Sequence, residues 1–472
     1  MGEACDLPAV AARRLMGEGK LSPVELLESC LARIERTNPA INAMVTLDVP
    51  AARTRAKELE GAFRRGENPG LLAGLPIAVK DLLATKGMRT TQGSLIYKDH
   101  VPGEDASAVA SLRGAGGIIL GKANTPEFGA GGNTTNRVFG PTGNPFDPSR
   151  TCAGSSGGSA AALALGQVPL ATGSDLGGSV RTPAAFCGVV GFRPSPGLVP
   201  HSTRVPAIFP FGVLGPMART MADAHLMLRA QAVLDRNDPS ASSDIAAIPD
   251  TLAPADLGTV RAAASADLGC APVDRGIAAV FAERVARFRH HFREVQERAP
   301  DFGNPHDAFE ILRAVQFVGI HGERVDKFRD QLDRNVVDNV DRGRKYSLAD
   351  AAWAFAEQTH IYRRVLAFFR DVDVLIAPAA SVSPFPHTQL FVEEINGERM
   401  PTYMRWLAIT YAPTVALCCA AAIPCGVDRS GLPFGIQVIG PNGGDAKVLA
   451  VAHALEQALA ADKETARPVP KL

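Results

Sequence analysis

The chain has 472 residues, 46% of them hydrophobic and 21% charged, so it is apolar enough to bury a large core and is not globally disordered. Its 49 basic and 49 acidic residues cancel, and the sequence contains no basic block. This balance argues against an electrostatic attraction to nucleic acid or to an anionic membrane, so neither is expected as a partner.

The N-terminal region, residues 1–59, is predicted to form amphipathic helices and starts without an apolar signal segment. One helix is predicted to begin after Ser22, which is followed by Pro23 and by Glu25 at the position that completes a capping box. The pair Asn38-Pro39 is predicted to end this helix. Apolar residues recur every three or four positions and indicate one buried face: Leu26, Leu27, Cys30, Leu31 and Ile34.

Short apolar runs at 75–83 and 116–124 are rich in valine and isoleucine, and we interpret them as interior strands of a sheet. The segment between them has a helical pattern ending in glycine, which predicts a strand–helix–strand unit. Strand patterns return later in the chain at 168–175, 371–380, 412–427 and 433–441. Even the longest of these runs is too short for a membrane span, so we expect a cytoplasmic protein with no membrane association.

Residues 222–371 contain fewer glycines and several arginine-rich helical stretches, so this segment is predicted to be a variable, mainly helical insertion. Residues 60–221 and 372–472 are predicted to form the α/β core that carries the chemistry. The fold expected for 1–472 is therefore one large α/β domain with a central mixed β-sheet flanked by helices, plus the helical insertion.

Lys80 is the first candidate for a catalytic side chain. It lies within or at the end of a strand that is otherwise predicted to be buried, and burial lowers the pKa of an ammonium group by as much as several units. A lysine that is neutral near pH 7 is a competent general base. The alternative is a structural Lys80 that forms a salt bridge with Asp81 or with another acidic residue.

The segment 152–188 concentrates serine, threonine and glycine but contains no histidine or lysine, so a base for its hydroxyl groups must come from elsewhere. Within it, Asp175 and Arg181 flank a Gly-Gly-Ser turn and are predicted to pair, which would fix the loop. Glycines let the backbone turn sharply and leave N–H groups free to bind an oxyanion. The predicted donors are the backbone N–H groups of Leu176, Gly177, Gly178 and Ser179. The alternative is an ordinary Gly/Ser loop.

Other motifs carry less weight. Residues 154–158 match G-x-S-x-G, but a turn-rich segment precedes them where a nucleophile elbow needs a strand. Residues 116–122 resemble a phosphate loop, but Ala123 follows where serine or threonine is required. The ten histidines are dispersed, and the eight cysteines lack metal-site spacing and are expected to be free, buried thiols.

Several blocks of the sequence are similar to blocks of one known protein family and occur in the same order along the chain. The sequence resembles the amidase signature family, although Ala153 replaces the first glycine of that family's usual GGSSGGS. The blocks cover most of the chain outside the predicted insertion: Gly74–Ser94, Gly121–Gly129, Ala153–Ser195, Gly212–Asp223 and Pro433–Pro441.

The resemblance implies a Ser–cisSer–Lys triad. Ser179 matches the nucleophile, Ser155 matches the bridging serine that follows a cis peptide bond, and Lys80 matches the base. Ser156 is adjacent, but Ser155 keeps the family's spacing to the nucleophile. No metal and no organic cofactor is expected.

The function implied is hydrolysis of the C–N bond of a small or medium amide through an acyl-enzyme. The alternative is the A subunit of a tRNA-dependent amidotransferase, which releases ammonia from glutamine for a larger partner protein. The third hypothesis is a catalytically silent scaffold. Because we find no glutamine-binding signature in the predicted insertion, we favour the stand-alone amidase, and its oligomeric form is left open between monomer and homodimer.

The substrate pocket is expected between the insertion and the loops 131–140 and 201–212. Four aromatic residues are candidates for an apolar wall, although packing in the core is favoured for each of them: Phe209, Phe211, Tyr403 and Trp406.

Overall fold

The computed structural model describes residues 2–241 and 248–472. In this part of the chain an eleven-stranded mixed sheet forms the centre of the molecule, which confirms the predicted fold class. Its strands are β1 (Met44–Leu47), β2 (Pro76–Lys80), β3 (Ile118–Ala123), β6 (Leu170–Asp175), β7 (Val190–Arg193), β8 (Val213–Ala218), β9 (Arg261–Ala264), β10 (Glu294–Glu297), β11 (Val374–Pro378), β14 (Cys419–Val427) and β15 (Pro433–Gly440). Two small hairpins lie outside it: β4 (Gly143–Asn144) with β5 (Asp147–Thr151), and β12 (Glu394–Ile395) with β13 (Glu398–Arg399).

The helices that cover the sheet are α1 (Ala9–Gly17), α2 (Pro23–Ile41), α3 (Val49–Arg64), α4 (Ser107–Gly114), α5 (Gly157–Ala164), α6 (Arg181–Cys187), α7 (Met221–Gln231), α8 (Arg275–Phe288), α9 (Pro305–Phe328), α10 (Arg334–Gly343), α11 (Leu348–Phe368), α12 (Ala408–Val415) and α13 (Asp445–Ala460). Every residue of β2 and β3 is buried, so both faces of the sheet are covered here. Among the described residues, no helix combines the length and apolar character needed to cross a membrane.

The strand order is β1-β3-β2-β6-β8-β7-β14-β15-β11-β9-β10. Strand β2 runs parallel to both β3 and β6, while β14 and β15 form an antiparallel pair. Because β2 and β6 are parallel neighbours, their carboxyl ends, Lys80 and Asp175, lie at the same edge of the sheet. Helices α5 and α6 begin at residues 157 and 181, so the turns that precede both helices reach this edge.

Helix α2 shows how far local signals determine an element. The predicted capping box is present, with the Ser22 side chain accepting from the Val24 N–H and Glu25 bonding back to the Ser22 N–H. The predicted end at Asn38-Pro39 is wrong, because the helix continues to Ile41. Asn38 stabilises the extra turn, since its side-chain oxygen accepts from two backbone N–H groups just beyond the helix, at residues 43 and 44.

The segment 222–371 is mainly helical where it is described, but it also contributes β9 and β10 to one end of the central sheet. Strand β9 has the sequence RAAA, which has no β-branched or aromatic residue and therefore gave no strand signal. Helices α10 and α11 each pack on α9, and α9 also packs on α12. The assignment of this segment as a variable insertion stays a prediction.

The eight cysteines are free thiols, as predicted, and all except the half-buried Cys270 are buried. Burial raises the pKa of the Cys152 thiol to about 12, so that thiol stays protonated. Within the described residues no cluster of three or more histidine, cysteine, aspartate or glutamate side chains could hold a metal ion.

Candidate active site

Lys80 is the last residue of β2, and its side chain is fully buried. Its Nζ atom lies 2.7 Å from Ser155 Oγ and 2.9 Å from both Ser156 Oγ and Ser174 Oγ. The peptide bond between Gly154 and Ser155 is cis. The structure therefore places the candidate base against the candidate bridging serine, together with Ser174, which the sequence analysis did not identify.

The alternative role of Lys80, as the salt-bridge partner of Asp81, is wrong. The Asp81 carboxylate accepts hydrogen bonds from the Thr91 N–H and hydroxyl, and its nearest cation is Lys122, whose Nζ is 4.0 Å away. Asp81 is the first residue after β2 and lies in the turn that follows the strand, where its carboxylate faces Thr91 instead of the Lys80 amine. Lys80 consequently has hydroxyl partners and no carboxylate partner among the described residues.

Burial lowers the pKa of Lys80 well below its ordinary 10.5, and the negative charge of Asp175 opposes this shift only in part. A neutral amine offers two N–H donors and one lone pair. The Ser156 hydroxyl donates to the Ser174 carbonyl oxygen at 3.3 Å, so it accepts from Lys80. Among the described residues neither the Ser155 nor the Ser174 hydroxyl has another acceptor, so either can donate to the lone pair, and Ser155 is the nearer of the two, at 2.7 Å against 2.9 Å.

Asp175 is held at the end of β6 by two arginines. The predicted pair with Arg181 is present and bidentate, with both N–O distances 3.0 Å, and Arg193 adds a third contact at 3.2 Å. All three side chains are fully buried. Burial alone would raise the pKa of Asp175, but the two guanidinium groups hold it below its usual range.

The same carboxylate organises the turn that carries Ser179. Asp175 accepts from the Gly178 N–H at 2.9 Å and from the Val180 N–H at 3.2 Å. The Gly178 N–H is therefore not free, which corrects its assignment as an oxyanion donor. In the described part of the chain, the N–H groups of Leu176, Gly177 and Ser179 donate to no protein acceptor.

Ser179 is half-buried and lines the same cavity as Ser155. Its carbonyl oxygen accepts from the Ser156 N–H at 3.1 Å, which ties the two serine-bearing turns together through the backbone. Within the described residues its hydroxyl makes no hydrogen bond to Ser155. The structure thus brings Lys80 and Ser155 into contact and places Ser179 beside them.

Position 178 has no room for a side chain. Its φ is +116°, and a Cβ atom at this position would lie 2.1 Å from Thr410 Oγ1. Thr410 cannot retreat freely, because that hydroxyl donates to the Gly177 carbonyl oxygen at 2.8 Å.

Gly178→Ala is expected to lower the free energy of unfolding by about 2–3 kcal/mol, through overpacking and backbone strain together. Urea denaturation would measure it. The matched control is Gly431→Ala, where φ is +80° and no neighbouring atom of the described residues lies within 4 Å of the new Cβ, so that only the backbone cost applies. Equal losses in the two variants would contradict the clash with Thr410.

A cavity of about 170 Å³ opens above the serines. Of the four aromatic residues that the sequence offered for its wall, Tyr403 lines the cavity. The other three do not line it and are buried in the core: Phe209, Phe211 and Trp406. Phe211 stacks on Phe309, which packs beneath Gly177, and Trp406 meets Phe385 edge-on. Much of the wall is apolar: Leu82, Phe128, Val213, Phe317, Ile320, Met404 and Leu407.

One face of α9 completes the cavity. This helix belongs to the insertion that was expected to line the pocket, although the sequence did not identify its lining residues. The residues that line it recur at three- and four-residue spacing, as expected for one side of a helix: Arg313, Gln316, Phe317, Ile320 and His321. Of the two loops expected at the pocket, 131–140 contributes only Gly131, while 201–212 contributes His201, Arg204 and Gly212. The helical segment thus closes one side of the site.

Comparison with known proteins agrees with this architecture. The family model for amidases matches residues 25–449. An acylamidase of Rhodococcus erythropolis is 33% identical over 95% of each protein. The chain belongs to the amidase family. Membership makes it a hydrolase of the C–N bonds of amides.

Other relatives of this amidase-family protein are similar over nearly its whole length. The A subunit of the glutamyl-tRNA(Gln) amidotransferase of Thermus thermophilus is 34% identical over 95% of this chain and 96% of that relative. The crystal structure of a bacterial aryl acylamidase of the amidase signature family superposes with a TM-score of 0.86 at 29% identity, covering 96% of each chain. The fold is therefore shared throughout, and the two kinds of relative are about equally similar in sequence.

Proposed function

We propose that this amidase-family protein hydrolyses a small or medium amide through an acyl-enzyme on Ser179, with Ser155 and Lys80 as the proton relay. The observation that carries the proposal is the buried Lys80 amine, 2.7 Å from the Ser155 hydroxyl and without a carboxylate partner among the described residues. An amine in this environment is easily held neutral, and a neutral amine accepts a proton.

In the first half-reaction, the Ser179 hydroxyl attacks the amide carbonyl carbon while its proton passes to Ser155 and the Ser155 proton passes to Lys80. The tetrahedral intermediate then collapses, and the relay returns the proton to the leaving nitrogen, which departs as ammonia or an amine. In the second half-reaction, water gives up its proton to the same relay and attacks the ester. The carboxylate product leaves, and Ser179 recovers its hydroxyl.

The negative charge of each tetrahedral intermediate needs donors that are already in place. The free N–H groups of Leu176, Gly177 and Ser179 lie on the turn that carries the nucleophile, and they support an oxyanion hole there. Each donor in such a site is worth roughly 10²–10³-fold in rate. Asp175, Arg181 and Arg193 act indirectly, by holding the shape of this turn.

Ser179→Ala is expected to abolish amide hydrolysis by the purified chain, because the variant can form no acyl-enzyme. The measurement is release of ammonia or amine from a panel of aliphatic and aryl amides. Ser149→Ala, which removes an exposed hydroxyl in β5, is the control and should retain the wild-type rate. Equal turnover by Ser179→Ala and the wild type would refute the nucleophile assignment.

The same assay separates the amidase from the A subunit of an amidotransferase. Stand-alone amidases hydrolyse their substrates as a single chain. If ammonia were released from glutamine only when a larger partner protein is added, the amidotransferase function would be the correct one. If neither activity appeared and Ser179 stayed unmodified by serine-directed reagents, the chain would be a silent scaffold.

A further inference from the structure

Arg313, on the cavity-facing side of α9, has a position unlike that of the other arginines near the active site. Its side chain lines the catalytic cavity and also a second cavity of about 510 Å³, which shares Arg313, Tyr403 and Met404 with it. Arg313 is nevertheless only 5% exposed. It is thus a buried cation where the two cavities meet.

This cation lacks a neutralising carboxylate among the described residues. Its Nη2 donates to Tyr403 Oη at 2.9 Å, and its Cζ lies 4.4 Å from the centre of the Phe317 ring. Its Nε finds no acceptor in the part of the chain that the structure describes. A hydroxyl and an aromatic face offset only part of the cost of burying a guanidinium group. The site therefore holds an unsatisfied positive charge.

Each of the other charged side chains that line the catalytic cavity has a partner of opposite charge. Arg204 makes two hydrogen bonds to Asp238, at 2.8 and 2.9 Å, and Asp175 is engaged by Arg181 and Arg193. The two histidines add no charge near pH 7, since burial lowers the pKa of His201 to about 4 and that of His321 to about 3. Among the described residues that line the catalytic cavity, Arg313 is thus the charged side chain that has no partner of opposite charge.

We propose that Arg313 is a specificity-determining residue that binds a carboxylate on the substrate, so that the preferred substrates are amides that also carry a carboxylate group. The inference rests on the proposed amide hydrolysis for its chemistry. A carboxylate is the natural complement of a guanidinium group, which binds it through two parallel N–H···O bonds. The apolar wall of the cavity suits an aliphatic chain between the carboxylate and the amide.

The test pairs each carboxylate-bearing amide with a neutral amide of the same chain length: adipamate with hexanamide, and glutaramate with pentanamide. Binding is measured by calorimetry in the Ser179→Ala background, so that it does not depend on turnover. We expect the carboxylate-bearing member to bind at least about tenfold more tightly, as for a charge-assisted hydrogen-bonded pair. Adding Arg313→Met should remove this preference, while Arg313→Lys should retain part of it.

A matched control removes a different arginine of the same helical segment. Arg344 is partly exposed, pairs with Asp326 at 2.7 Å and lines neither cavity, so Arg344→Met should keep the preference. If Arg313→Met fails to fold, the preference of the chain with Arg313 intact and its partial loss in Arg313→Lys still test whether Arg313 binds the carboxylate. In turnover assays, the loss in Arg313→Lys should appear mainly in KM for the carboxylate-bearing amides, with a smaller change in kcat.

Equal binding of charged and neutral amides, or a preference that survives Arg313→Met, would overturn the inference. A different result would refute the proposed amide hydrolysis: the wild type binds the amides but turns none of them over. Arg313-dependent binding of the carboxylate would stand even then, because it is measured in a variant that does not turn over.

Discussion

Lys80→Met is expected to lower kcat by about 10²–10⁴-fold, which is the usual contribution of a general base. Methionine fills a similar volume, but its thioether sulfur is not basic enough to accept the Ser155 proton, and it has no N–H donor for Ser156 and Ser174. Steady-state hydrolysis of the best amide of the panel gives the measurement. A variant that keeps more than about a tenth of the wild-type kcat would show that Lys80 is not the base.

The chain provides a matched control in a second buried lysine on the neighbouring strand. Lys122 is also fully buried, and burial lowers its pKa to about 8, but its amine donates to Thr85 and Thr90 and does not contact the serines. Lys122→Met should lower stability while the folded protein keeps kcat within about tenfold of the wild type, since its loss removes hydrogen bonds but no catalytic group. A comparable loss of kcat in both variants would mean that burial of an amine, and not the relay, is what matters.

The lowered pKa of Lys80 also predicts that the stability of the wild type, relative to Lys80→Met, depends on pH. The pKa of Lys80 is lower in the folded protein than its ordinary 10.5, so between these two values the unfolded chain binds more protons. The stability of the wild type relative to Lys80→Met must therefore rise with pH across this window, by at most about 1.4 kcal/mol per pH unit. Urea unfolding of both proteins between pH 7 and pH 10 measures the difference, and a flat or falling difference would contradict a lowered pKa.

Asp175→Asn should lower the free energy of unfolding by about 3–5 kcal/mol, because it leaves two buried guanidinium groups without their carboxylate. Arg181 keeps hydrogen bonds to Gln437 and Thr414, but neither partner carries a charge. Activity should fall as well, since the same carboxylate holds the Gly178 and Val180 N–H groups on either side of Ser179. Urea denaturation at pH 7 measures the loss of stability.

An exposed ion pair serves as the control for this variant. Asp341 pairs with Arg329 at 2.7 Å but is 39% exposed, so Asp341→Asn should cost no more than about 1 kcal/mol. The pKa of Asp175 is depressed in the folded protein, so its contribution is complete above the ordinary 3.8 and is lost only when pH falls below that value. The cost of Asp175→Asn should therefore be the same at pH 6 and pH 8. A cost below about 1 kcal/mol would show that the two arginines are satisfied without Asp175.

The elements that the sequence predicted best are those with strong local signals. The burial of Lys80 followed from a continuous apolar strand, and the start of α2 followed from its capping box. The end of α2 was wrong because Asn38 bonds to the backbone beyond the helix, and the Asn38-Pro39 pattern alone does not show that contact. Strand β9 escaped prediction because the sheet forms around four residues with little strand propensity of their own.

In the candidate site, too, features with a local signal were predicted, and features that depend on the tertiary structure were missed. The pairing of Asp175 with Arg181 was predicted because the two residues are six positions apart and flank one turn. Arg193 and Ser174 were missed, since each reaches the site only through the arrangement of strands in the sheet. The commitment of the Gly178 N–H to Asp175 depends on the local geometry of a glycine turn, which composition does not specify. The cavity-lining face of α9 has a helical repeat, but the repeat does not reveal what it faces.

Ser179 is the proposed nucleophile, and covalent trapping tests that role most directly. The wild-type chain would be treated with a fluorophosphonate, and the modified residue located by mass spectrometry of its peptides. We predict a single adduct on Ser179, absent in Ser179→Ala and strongly slowed in Lys80→Met. An adduct on Ser155 or Ser156, or labelling that proceeds equally well without Lys80, would contradict the relay.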